Sequence, residues 1–219
     1  MTRPPSPYLV PGFYDRALSD GRHRDIVGGR WDETGRLQMA LLTARGLQPH
    51  HHLLDIGAGS LRLGCKAVPY LDPGHYWGTD ASGALMQRGR EVELPDPERL
   101  PADHLVEDAD FAFPNLPAQV DYLIAFGVFT HLPPSQTATA LARIAQRWPT
   151  PCIFLFTVFL APEGQGDESL RQPDGVVTHP DRPPYHMRET ALLAMAQDAG
   201  LRLTRQPDRL PRGQVLWQG

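Results

Sequence analysis

From residue 53 onward, short apolar runs alternate with stretches whose apolar residues recur every three or four positions. Leu53 to Ile56 reads as a buried strand, followed by a helix over roughly 61–70. Tyr76 to Thr79 predicts a second strand and 81–90 a second helix; His104–Glu107 and Asp121–Ala125 are the next two strands. Ser135 to Trp148 places Ala138, Leu141, Ile144 and Ala145 on one helical face. Cys152 to Phe159 is apolar throughout, as a central parallel strand covered on both faces should be. Glu189 to Ala199 is a helix stopped by Gly200, and two short strands, Leu201–Thr204 and Gln214–Trp217, close the chain as a hairpin. Such alternation predicts an α/β fold built on a mostly parallel, doubly wound sheet.

Outside this regular part, residues 1 to about 20 are rich in proline and predicted to be irregular. Asp32-Glu33-Thr34-Gly35 then opens a helix through Leu37, Leu41 and Leu42, with Asp32 as its cap. Residues 1–48 are expected to form an N-terminal cap on a single domain spanning 1–219. The polar connection 161–188 is long for an ordered loop and is expected to be a flexible lid or substrate loop.

Composition narrows the function classes. With 219 residues, 41% of them hydrophobic, the chain can bury one sizeable core. No apolar run reaches the roughly 20 residues of a membrane span. Met1 to Pro7 lacks the apolar core of a signal peptide, so a cytoplasmic protein without membrane contact is expected. Cys65 and Cys152 are expected to be buried thiols rather than a disulfide. A net charge of −4 and a pI near 6.1 argue against a large nucleic-acid surface.

The chemistry concentrates in Leu53-Leu54-Asp55-Ile56-Gly57-Ala58-Gly59-Ser60. An apolar strand ends in Asp, and two glycines follow where the backbone must turn sharply or admit a ligand closely. The next helix aims its N-terminal amides at that turn and favours an anionic group there. Asp80, 21 residues after Gly59, stands where an acid in a βαβ unit grips the two hydroxyls of a ribose. Arg62 occupies the third position of the dinucleotide fingerprint, which calls for Gly or Ala, so the nicotinamide pattern fails there. The segment instead resembles motif I, Asp-x-Gly-x-Gly, of class I S-adenosylmethionine-dependent methyltransferases. Asp80 matches that family's ribose-binding acid, Asp110-Phe111 its adenine-binding step, and Val120 to Gly127 its fourth strand. Many members carry a third glycine where this chain has Leu61.

The resemblance implies a seven-stranded sheet with one reversed strand and S-adenosylmethionine as cofactor. It also implies roles for particular residues. The amides of Gly57 and Gly59 would hold the methionine moiety, with Asp55 orienting them. Asp80, with Ala81 beside it, would take the ribose. Asp110 would accept from the adenine amine and Phe111 stack on the ring, with Asp108 a rival for Asp110. Phe126 and Gly127 would line the methionine end. His131, just past the fourth strand on the carboxyl edge of the sheet, is the candidate general base, a neutral imidazole being suited to that task near pH 7. Tyr14, His23, Trp31, Tyr185 and His186 lie in segments expected to cover the pocket.

His50-His51-His52 sits at the opposite edge and reads as a solvated loop rather than a metal site. Arg212 falls in the turn between the last two strands. Where methyltransferases of amino groups on adenine, cytosine or glutamine carry Asn/Asp-Pro-Pro-aromatic, this chain reads Phe126-Gly127-Val128-Phe129. A small-molecule acceptor is therefore expected, and no nucleic acid. A non-catalytic binding protein of the same fold stays open as an alternative, and a nicotinamide-dependent oxidoreductase is a weaker one.

Overall fold

The computed structural model describes residues 6, 10, 12–149 and 152–219. The proline-rich start therefore lies mostly outside the described residues. The chain folds as two compact units, residues 10–124 and residues 125–219. Among the described residues no helix is long and apolar enough to cross a membrane.

The first unit is built on four parallel strands in the order β3-β2-β1-β4. The central strand β1 (Leu53–Ile56) is buried at all four positions, as its apolar run demands. On one side β2 (Tyr76–Asp80) aligns Tyr76 with Leu53, and on the other β4 (Tyr122–Ala125) aligns Tyr122 with Leu53. The outer strand β3 spans Leu105–Glu107. Helix α3 covers Gly64–Tyr70, three residues shorter at its start than the sequence predicts. The cause is Leu61, fully buried yet left-handed at φ 62. The chain adopts this unusual backbone with a leucine, at a cost of about 1–2 kcal/mol. Helix α4 (Gly83–Glu93) begins at Ser82, whose hydroxyl accepts from the Leu85 amide at 3.2 Å.

Ahead of β1 the expectation of an irregular segment fails. Residues Phe13–Ser19 form helix α1, a short element with no buried residue and therefore no apolar periodicity to betray it. Helix α2 runs Trp31–Thr43 and starts from Arg30, which is left-handed. Asp32 is thus not the cap but a first-turn acid, placed well for the helix dipole and paired with Arg36 at 2.7 Å and Lys66 at 2.8 Å.

In the second unit, helix α5 (Pro134–Arg147) precedes β5 (Ile153–Ala161), the longest strand. Phe154 and Phe156 stack at 4.9 Å, and Phe129 meets Phe156 edge-on at 5.4 Å, giving this unit an aromatic core. The 161–188 connection is not a structureless loop. It carries a two-stranded hairpin, β6 (Leu170–Arg171) with β7 (Val177–Thr178), and a strand the sequence does not announce, β8 (His186–Arg188). β8 pairs in parallel with the end of β5, setting His186 opposite Phe159. Beneath the hairpin runs a buried polar chain. The Gln172 side-chain amide donates to Thr178 Oγ1 at 2.9 Å, Thr178 Oγ1 lies 2.8 Å from His186 Nδ1, and His186 Nε2 lies 3.3 Å from the Gly166 carbonyl. Helix α6 (Glu189–Asp198) leads through Gly200 to β9 (Thr204–Arg205) and β10 (Val215–Gln218). β10 is antiparallel to both β5 and β9, the reversed ending that the sequence predicts.

Candidate cofactor site

The turn after β1 and the acid at the end of β2 meet. Gly57 and Gly59 are left-handed, at φ 73 and 56, which bends the chain back so that the Gly59 amide donates to Asp80 Oδ2 at 2.9 Å. The Ser82 amide donates to Asp80 Oδ1 at 3.1 Å. Burial raises the Asp80 pKa to about 6 against the pull of these amides and of Tyr14. A half-buried carboxylate seated on a glycine turn suits a ribose diol, whose hydroxyls are donors.

Two expectations about this turn change. The amides of Gly57 and Ala58 donate to the Thr79 carbonyl at 2.7 and 2.9 Å, and that of Gly59 to Asp80, so all three are engaged within the protein. What the turn offers a methionine moiety is therefore close approach over the exposed Gly57 rather than a set of N–H donors. Asp55, meanwhile, orients no glycine amide. Its buried carboxyl accepts the Tyr76 hydroxyl at 2.7 Å, and burial pushes its pKa up to about 7. Tyr76, pushed well above its ordinary range by burial and by Asp55, stays protonated as the donor. The partner on β2 is cross-strand, which no local motif reveals.

Asp108 and Asp110 differ in their surroundings. Asp108 accepts the amides of Asp110, Ala112 and Phe113 at 3.1, 3.0 and 2.8 Å. It staples a loop in which Phe111 and Phe113 are both left-handed. Asp110 is exposed and Phe111 half-buried on that loop, leaving the pair as the candidates for adenine.

Residues 14–31 dress the same turn. Ser60 Oγ donates to the His23 carbonyl at 2.9 Å, and Arg62 donates to the Val27 carbonyl at 2.6 Å. A side chain at Gly59 would run into Val27 Cγ1 at 2.5 Å, so this glycine is also needed by the chain's own packing. His23 and Arg24 both reach Glu93, each at 2.7 Å, and Arg24 lies 5.2 Å over the Trp31 ring. The half-buried Cys65 donates to the Arg62 carbonyl at 3.2 Å; Cys152 is half-buried too, and both are free thiols.

In the second unit the exit of β4 is tied down by threonines. The Gly127 amide donates to Thr157 Oγ1 at 2.8 Å, and Thr130 Oγ1 donates to the Gly127 carbonyl at 2.7 Å. The Tyr185 amide reaches the Thr130 carbonyl at 2.7 Å. Among the described residues, none but the chain neighbours comes within 4 Å of where a side chain at Gly127 would begin, and Phe126 beside it is half-buried. His131 follows in the same turn. Burial, reinforced by the Arg212 charge, lowers its pKa to about 4, so its imidazole is neutral near pH 7. Arg212 is itself left-handed at φ 65, its amide held by Asp174 at 2.7 Å. The His50–His52 run does what a loop does: the His52 ring stacks on His75 at 4.1 Å and its amide donates to Asp121.

Comparison with known proteins bears on all of this. A family model described as "Methyltransferase domain" matches residues 54–148. A putative methyltransferase of Haloferax volcanii, solved with the Trm112 methyltransferase activator, aligns at TM-score 0.63 and 16% identity over 94% of this chain and 96% of its own. A putative O-methyltransferase of Nostoc punctiforme aligns at 0.62 and 15% identity over 94% of this chain, which spans only 58% of that protein. Magnesium protoporphyrin IX methyltransferase of Synechocystis, solved with bound S-adenosylmethionine, aligns at 0.54 and 15% identity over 85% of this chain and 77% of its own. These structures share the Rossmann-like methyltransferase fold. The fold is thus that of the Rossmann-like methyltransferases, and residues 54–148, which hold the glycine turn and Asp80, are similar to the methyltransferase-domain family.

Proposed function

We propose that the protein transfers a methyl group to a small-molecule acceptor. The observation that carries this is the 2.9 Å contact joining the glycine turn to Asp80, two features 21 residues apart that a nucleoside site needs together. On this proposal Gly57, Gly59, Asp80 and Ala81 hold the ribose and methionine parts, and Asp110 with Phe111 the adenine. Bound there, S-adenosylmethionine supplies an electrophilic methyl group.

The remaining work falls to the chain's own residues. Methyl transfer is an in-line displacement, so the site has to align the acceptor and keep water out. His131 is neutral at pH 7 but, with its pKa lowered to about 4, is a weak base. Its proposed role is therefore to take the proton of an O–H, N–H or S–H acceptor only as the methyl group arrives and makes that proton acidic. The absence of Asn/Asp-Pro-Pro-aromatic after β4 and the acidic pI support a small acceptor over nucleic acid. The 161–188 segment is the proposed acceptor-side cover. Because β8 is part of the sheet around β5, substitutions at the hairpin tip test that role better than deletion.

Calorimetry with S-adenosylhomocysteine and with NAD tests the cofactor assignment: binding of the first and not the second is expected. With an acceptor found by screening for methyl incorporation, His131→Gln should lower kcat about 100-fold or more while leaving cofactor affinity intact. Unchanged turnover across pH 6–9 removes His131 from the chemistry.

A further inference from the structure

The turn between β9 and β10 is costlier than its backbone requires. Arg212 stands at φ 65 and Gly213 at φ 75, two successive left-handed positions. Glycine fills the second because it must: a Cβ there would meet Pro173 Cδ at 2.8 Å and Gln172 Cβ at 3.1 Å. The first calls equally for glycine or asparagine, yet it holds an arginine. Strain that a more tolerant residue would relieve points to a task for the side chain.

The surroundings fix where that side chain starts. Asp174 Oδ2, on the turn of the β6–β7 hairpin, accepts the Arg212 amide at 2.7 Å, so this acid is engaged by the backbone. Val215, three residues on, pairs with Val158 of β5. Next to Val158 is Thr157, whose hydroxyl holds the Gly127 amide at 2.8 Å. Thr130 holds the Gly127 carbonyl at 2.7 Å, and His131 follows it. The turn bearing Arg212 and the turn bearing His131 therefore flank the same end of β5, within one unit. In keeping with this, the charge of the exposed arginine adds to burial in depressing the His131 pKa.

A guanidinium presents a planar fork of donors that matches a carboxylate through two parallel bonds. We propose that Arg212 sets acceptor specificity: it holds a carboxylate of the acceptor and so selects an acidic small molecule, methylated at a separate hydroxyl, amine or thiol. This rests on the reading of His131 as the group that faces the acceptor. His131 takes the proton of the accepting atom as the methyl group passes to that atom from sulfur, and the carboxylate stays unchanged. Pairing has a second effect. Once the acid offsets the Arg212 charge, that charge no longer depresses the imidazole, so the bound acceptor makes His131 a better base.

The probes are matched pairs: hydroxy-, amino- and mercaptobenzoates against their carboxamides, with methyl incorporation from S-adenosylmethionine as the readout. At least one acid should be methylated with kcat/KM about tenfold or more above that of its amide, the range of a charged hydrogen bond. Arg212→Gln should bring that ratio close to one, chiefly by raising KM for the acid. Arg212→Lys should restore part of it, because lysine keeps the charge without the fork. Calorimetry with S-adenosylhomocysteine on each variant checks that the cofactor site is intact. A ratio near one in the wild type, or one that survives Arg212→Gln, overturns the role of Arg212 and leaves small-molecule methyl transfer standing. If S-adenosylhomocysteine binds but no acid is methylated, the acidic acceptor is overturned and the cofactor site survives. If S-adenosylhomocysteine does not bind the wild type, both readings fall.

Discussion

Both units bury hydroxyls and amides, but they differ in their acids. Among the described residues only 10–124 bury a carboxyl, Asp55 against Tyr76, with Asp80 half-buried on the amides of Gly59 and Ser82. Residues 125–219 bury hydroxyls and amides beside imidazoles: Gln172 and Thr178 in one chain with His186, Thr130 and Thr157 around Gly127, and a neutral His131. The difference is one of cost and of use. A buried acid is kept only where its charge or its proton has a task, and it makes the surrounding structure answer to pH near 6 to 7. A neutral network gives shape without that sensitivity.

Removing the acid at the turn is the strongest way to break this contrast. Asp80→Ala should weaken S-adenosylhomocysteine binding by up to about 3 kcal/mol, roughly 100-fold, as measured by calorimetry. An unchanged affinity would take Asp80 out of the site. Asp55 sharpens the contrast through stability. Its folded pKa of about 7 lies above the unfolded value, so its contribution is whole below about pH 4 and is lost as pH rises through 7. Asp55→Asn should therefore stabilise the cofactor-free protein at pH 8, by about 2 kcal/mol, and hardly at all at pH 4. Equal melting shifts at the two pH values would show that the carboxyl is not protonated in the fold.

The neutral half should behave otherwise. Thr178→Val strands the Gln172 amide and a His186 nitrogen, and should cost about 1–2 kcal/mol with little change between pH 7 and 9. The smallest effect concerns binding and pH. As Asp80 gains its charge through pH 6 it becomes the better acceptor, so S-adenosylhomocysteine should bind a few-fold more tightly at pH 8 than at pH 5. A flat profile would mean the ribose is held by something else.

What could be read from the chain beforehand follows the same division. The β1 turn and Asp80 were legible because strand, glycines and acid are local patterns with a fixed spacing. Tyr76 as partner to Asp55 was not, because the pairing exists only across two strands. α1 hid because a helix that buries nothing has no apolar stripe. β8 hid because His-Met-Arg carries no alternation, its strand character coming from the edge that β5 presents. At Leu61 propensity misleads outright. A leucine after the glycine turn reads as helix, yet packing holds it left-handed and delays α3 to Gly64.

The pairing of β8 with β5 has a mechanical corollary. The 161–188 segment is tethered where it leaves β5 and again where it returns at His186, with the Gln172–Thr178–His186 chain as a crosspiece. A strap secured that way cannot swing open about one end. Its β6–β7 tip is pinned as well, Asp174 accepting the Arg212 amide at 2.7 Å, so the segment is a strap held at both roots and at its turn.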